Sequence, residues 1–191
     1  MGRSKAFDEE EVLDRAVELF WQEGYHATSM RDLTERLGIN ASSLYHTYGD
    51  KQKLFRAALE RYRTQAGRAV TQRFEAAPDV RTAVRELLLE ATRPQPARGG
   101  RGCFMVNTTV ELAAQDAQVA EIVRLNREAL EAALAERFEG AQARGEVAAQ
   151  HTPTALARTV FNTLQGLRVT ACHPLPAAAE EVIATTLALL D

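Results

Sequence analysis

The segment T-S-M-R-D-L-T-E-R-L-G-I-N-A-S-S-L-Y-H-T-Y, residues 28–48, holds the side chains best suited to chemistry on another molecule. Met30, Leu33 and Leu37 recur at helical spacing, and Gly38, Ile39 and Asn40 follow as a tight turn. Gly38 suits that turn because it adopts positive φ without a Cβ clash. A short helix over about 41–46 comes next. With Leu33, Leu37, Ile39 and Leu44 facing inward, its outward face is Asn40, Ala41, Ser42, Ser43, Tyr45 and His46. These small or hydrogen-bonding groups fit a DNA major groove and reach base edges or phosphates. Tyr45, Tyr48 and Lys51 flank that helix and suit phosphate contacts. The N-termini of the second and fourth helices present backbone N–H donors to phosphates. The layout is that of a helix-turn-helix, although plain packing within a helical bundle produces the same spacing.

The elements that must position this segment are helical almost throughout. Asp8 caps a first helix, with Glu11 completing an acidic variant of a capping box. Val12, Leu13, Ala16, Val17 and Phe20 form its apolar face, and Gly24 ends it. The second helix is predicted over about Ser29 to Leu37, with Thr28 as its cap. Asp50 caps a long fourth helix reaching about Phe74, and A-A-P-D at 76–79 breaks it before Asp79 caps a fifth. R-P-Q-P-A-R-G-G-R-G at 93–102 reads as a loop. Helices near 103–114 and 116–140 follow. Thr152 and Pro153 then begin one that ends near His173, because Pro174 and Pro176 cannot continue it. A last helix covers roughly 177–190. The fold class is all-α, with about nine helices.

Composition narrows the function classes. Hydrophobic residues make up 46% of the 191, enough for a folded core, and aromatics only 6%. No stretch approaches the roughly 20 apolar residues that span a bilayer. The polar N-terminal segment is unlike a signal peptide. Two cysteines, Cys103 and Cys172, make no disulfide framework, which points to a reducing cytoplasm. The net charge of −3 runs against nucleic-acid binding, but its distribution does not. Residues 26–63 carry seven basic groups against four acidic ones, whereas residues 1–25 carry three against seven. An enzyme finds little support. G-G-R-G at 99–102 lacks the strand and lysine of a phosphate loop, no nucleophile elbow is present, and His26, His46, His151 and His173 are scattered. No cofactor is implied. A metal site from Cys103, Cys172 and His173 is disfavoured, because adjacent helical residues point about 100° apart.

Residues 5 to about 60 resemble the DNA-binding domain of the TetR/AcrR family of bacterial regulators. The matching stretches are A-V-E-L-F-W-Q-E-G-Y-H-A-T-S-M-R-D-L (16–33), L-G-I-N-A-S-S-L-Y-H-T-Y-G-D-K (37–51) and L-F (54–55). The resemblance implies that Thr28, Ser29 and Arg31 lie near the DNA backbone. It places Ser42, Ser43, Tyr45 and His46 on a recognition helix and gives Tyr48 and Lys51 a grip on phosphates. Tyr48 stands where the family more often has Phe. It also implies a helix-turn-helix domain over 1–50, running into the linking helix to about 66, and a ligand-binding and dimerisation domain over 51–191.

In that second part, Leu156, Val160, Leu164, Leu167 and Ala171 recur on one helix. Val182, Ile183, Thr186, Leu187 and Leu190 recur on the last. These two stripes make a four-helix bundle across a two-fold axis or pack within one subunit; the resemblance favours the homodimer. R-G-C-F-M-V-N-T-T-V-E-L-A at 101–113 is similar to some ligand-binding domains of the family. Phe104, Asn107, Thr108 and Glu111 mix apolar and polar groups as a small-molecule pocket requires, with Phe161 and Gln165 facing them. Cys103, beside Arg98 and Arg101, is either a reactive, ligand-responsive thiol or a small buried residue. The expected function is a ligand-responsive repressor that binds a palindromic operator as a dimer and is released by a small molecule. An activator of the same family, or a helical adaptor without DNA contact, is the alternative.

Overall fold

A computed structural model describes residues 7–93, 102–171 and 175–191. Most of the loop expected at 93–102, with Arg98 and Arg101, lies outside the described residues, as do Cys172 and His173. Among the described residues the chain forms nine helices in the order α1 (Glu9–Glu23), α2 (Met30–Leu37), α3 (Ala41–Tyr48), α4 (Lys51–Ala76), α5 (Val80–Thr92), α6 (Phe104–Leu112), α7 (Ala117–Ala143), α8 (Pro153–Thr170) and α9 (Pro176–Ala188).

Local chemistry sets most of the boundaries. Asp8, Asn40, Asp50, Asp79, Asp116 and Thr152 each accept a backbone N–H in the first turn of the helix they precede. Gly24 and Gly38 end α1 and α2 at positive φ, 81° and 69°. Two details differ from the sequence expectation. Glu11 pairs with Arg15 at 2.6 Å, one helical turn along. And α2 is capped by Ser29, not Thr28. Ser29 and Asp32 form a reciprocal capping box, while the Thr28 hydroxyl turns inward and donates to the Gly24 carbonyl at 2.6 Å.

The core divides into two clusters. The first gathers α1 to α4 and includes Phe20, Trp21, Leu33, Leu37, Leu44, Leu54 and Phe55. It also takes in Cys103, Phe104, Met105 and Leu112 from the start and body of α6, and Val119 and Ile122 from α7. The second is built by α5, α7, α8 and α9 around Val84, Leu88, Phe138, Val160, Leu164 and Ile183.

That arrangement corrects the reading of the two apolar stripes. Leu156, Val160, Leu164, Leu167, Ile183, Thr186, Leu187 and Leu190 are all buried within one subunit. A helix turns its most continuous apolar stripe towards the largest apolar surface in reach, and here α5 and α7 supply it. Of the residues predicted for a dimer contact, Val182 alone stays exposed; Val169 and Leu175 are exposed as well. No described helix is long and apolar enough to cross a membrane.

Candidate nucleic-acid interface

The third helix separates its two faces sharply. Leu44 is 0% exposed and anchors α3 to the first core cluster. Ala41, Ser42, Tyr45 and His46 form one continuous exposed face, with Tyr45 51% exposed. Asn40 and Ser43 are engaged in the helix start, where Asn40 Oδ1 accepts from Ser43 N at 2.8 Å. That bond fixes the entry of α3.

The flanking residues are held to different degrees. Thr28 is 1% exposed and its hydroxyl is bonded to the Gly24 carbonyl, so it presents almost no surface to a phosphate. Ser29 is exposed at the start of α2, and Arg31 projects from the first turn beside Glu35 at 2.7 Å. Tyr48 is half-buried. Its hydroxyl lies 3.4 Å from the Glu9 carbonyl, and burial raises its pKa. Lys51 Nζ sits 4.3 Å over the Tyr25 ring, and partial burial lowers its pKa. Lys53, which the sequence reading passed over, is exposed one turn from Gly49 and near Asp50; its place beside Lys51 at the start of α4 was the available signal.

This unit is fastened to the rest of the molecule by polar contacts. Arg56 of α4 donates to both oxygens of Asp116 at 2.9 and 2.8 Å, and Gln52 adds a third hydrogen bond. Asp116 also caps α7 through Gln118 N and Val119 N. Burial alone would raise the Asp116 carboxyl, but the hydrogen bonds from Arg56, Val119, Gln52 and Gln118 outweigh it and hold its pKa low. On the outer side, Arg61 of α4 grips Asp14 of α1 at 2.7 and 2.8 Å, which lowers the Asp14 pKa.

The residues expected to line an effector pocket are dispersed. Cys103 and Phe104 pack into the first core cluster, where Phe104 meets Trp21, Phe55 and Tyr62 with ring centroids 5.5–6.3 Å apart. Cys103 Sγ lies 3.4 Å from the Tyr62 hydroxyl. Glu111 reaches the chain between α1 and α2, accepting from Tyr25 N and His26 N. Asn107 is exposed. Thr108 is buried with no hydrogen-bond partner for its hydroxyl, Phe161 is buried, and Gln165 accepts from Arg168. A surface cleft of about 580 Å³ runs elsewhere, along α1 between Arg36 and Gln65. Among the described residues no group of three or more His, Cys, Asp or Glu side chains is placed to hold a metal ion.

A short helix with one anchored and one exposed face, set behind a glycine turn, defines a helix-turn-helix DNA-binding regulator. Comparison with known proteins gives the family. Residues 12–58 match the model of bacterial regulatory proteins of the tetR family, and residues 76–182 match that of the tetracyclin repressor-like C-terminal domain. The chain belongs to the TetR family of transcriptional regulators. It is 37% identical to YezE of Bacillus subtilis (strain 168), an HTH-type transcriptional regulator, over 83% of this chain and 82% of that one. It is 34% identical to the HTH-type transcriptional repressor ComR of Escherichia coli (strain K12), over 89% and 82%. Its fold matches that of the TetR family regulator CifR, solved as a cysteine mutant complexed with 26bp double-strand operator DNA. That match has a TM-score of 0.80 and 33% identity, covering 99% of this chain and 98% of the other. These relatives are regulators of transcription.

Proposed function

We propose that the protein is a ligand-responsive repressor that binds a palindromic operator as a homodimer. The observation that carries this reading is the exposed face of Ala41, Ser42, Tyr45 and His46, opposite the fully buried Leu44. Ser29, Arg31, Tyr48 and Lys51 supply phosphate contacts around it, and Asn40 and Ser43 set its angle. One short helix reads too few base pairs for specific binding, so two copies about 34 Å apart are required. The outer faces of α8 and α9 suit that pairing. Val169 and Val182 are exposed there, and Gly166 leaves open space for close approach. The repressor sense is supported by the naming of ComR as a repressor. An effector is proposed to act on the sensor half over 51–191, where the buried, unpartnered hydroxyl of Thr108 on α6, a helix that packs against α8, offers a hydrogen bond.

The test combines mass and affinity. Light scattering should give twice the subunit mass, and selection from random duplexes should return a palindrome. Replacing Tyr45 and Lys51 by Ala should abolish the retarded band while leaving the melting temperature near that of the wild type. A monomer, or a double variant that binds as tightly as before, refutes the reading.

A further inference from the structure

The α1–α2 turn is held from outside its own domain. Gly24 ends α1, and the next two backbone donors, Tyr25 N and His26 N, point away from that helix. Both are received by one carboxylate, Glu111 on the last turn of α6. Its Oε2 accepts from Tyr25 N at 3.2 Å and its Oε1 from His26 N at 2.9 Å, across 86 and 85 residues of sequence. Two N–H donors on one carboxylate make a charge-assisted pair, stronger than neutral hydrogen bonds. The approach is close. A Cβ at Gly24 would stand 3.3 Å from Glu111 Oε2, and the φ of +81° there already disfavours a side chain. Three residues beyond His26 comes Ser29, which caps α2 and begins the helix-turn-helix.

We propose that Glu111 is a positioning residue for operator binding. From α6 it fixes the turn from which α2 and α3 take their direction. The inference rests on the DNA-binding reading above and deepens it. The ties between Arg56 and Asp116 join α4 to α7; Glu111 reaches the α1–α2 turn itself, through backbone N–H groups that no substitution in that turn other than proline removes.

The experiment uses the full-length protein, a duplex selected from random sequence by the wild type, and hydrogen exchange read by mass spectrometry. In the wild type, bound duplex should slow exchange over residues 22–29 and also over 104–112, which do not face DNA. Glu111→Ala should speed exchange over 22–29 in the free protein and weaken affinity about tenfold, as expected for losing hydrogen bonds to a charged group. At saturating duplex, its 104–112 segment should no longer respond. Glu111→Gln, which keeps the shape and one acceptor oxygen, should lie between the two and carries the same comparison if the Ala variant fails to fold. Wild-type affinity in both variants, or an unchanged response of 104–112 to duplex, overturns the inference while the DNA-binding reading stands. A wild type that selects no duplex overturns both.

Discussion

The two core clusters of this molecule are made of different material. The first is rich in rings: Phe20, Trp21, Tyr25, Phe55, Tyr62 and Phe104 meet at centroid separations of 5.0–6.3 Å, several edge to face. The second is aliphatic, with Phe138 as its buried ring among Val, Leu and Ala. Ring contacts are directional, because the π-system has a negative face and a positive edge. Aliphatic packing is governed by volume and tolerates small slides. The contrast places directional packing where α6 meets the DNA-reading helices, and permissive packing in the half proposed to sense a ligand.

The strongest way to break that contrast is Phe104→Ala. Removing a buried ring should cost about 3–5 kcal/mol, seen as a lowered denaturant midpoint, and should also weaken operator affinity. Leu88→Ala in the aliphatic cluster should cost about 2–5 kcal/mol and leave the affinity of the folded fraction near wild type. Equal loss of affinity in both variants would erase the distinction between the clusters.

Next in size comes the Arg56–Asp116 junction. Asp116→Asn should cost about 1.5–3 kcal/mol, the range for hydrogen bonds to charged groups. The pH dependence follows from the lowered Asp116 pKa. A carboxyl held below its unfolded value stabilises the fold fully above that value, about 4, and loses the contribution as pH falls through its folded value. Thermal melts from pH 7 down to acid should therefore fall more steeply for the wild type than for Asp116→Asn.

Tyr45→Ala should reduce operator affinity by about tenfold or more, the scale of one base-edge contact, without moving the melting temperature. A large melting shift would mean that Tyr45 packs rather than reads. The smallest expected effect is at Ser29. Replacing this cap by Ala should cost about 1 kcal/mol, measured by denaturant unfolding.

Helix boundaries were legible because caps are local: Asp8, Asp50, Asp79 and Thr152 act on residues two or three positions away. The exposed face of α3 was legible for the same reason, since Leu44 sets the inward direction for its neighbours. What the spacing of residues could not carry was partnership across the chain. Apolar periodicity in α8 and α9 announced a buried face but not whose helices bury it, and they turned out to be the subunit's own. Mixed polarity on α6 was likewise silent about the turn and rings, some forty to eighty-six residues earlier, that Glu111 and Phe104 meet.

The cations around the DNA-facing helices already have company. Arg31 sits beside Glu35, Lys53 beside Asp50 and Arg36 near Glu23. A phosphate that recruits such a group must draw it from a carboxylate, which then collects a small cation from solution. Fewer ions are set free for each contact made, so the logarithm of affinity should decline with the logarithm of salt less steeply than about 0.9 per neutralised phosphate.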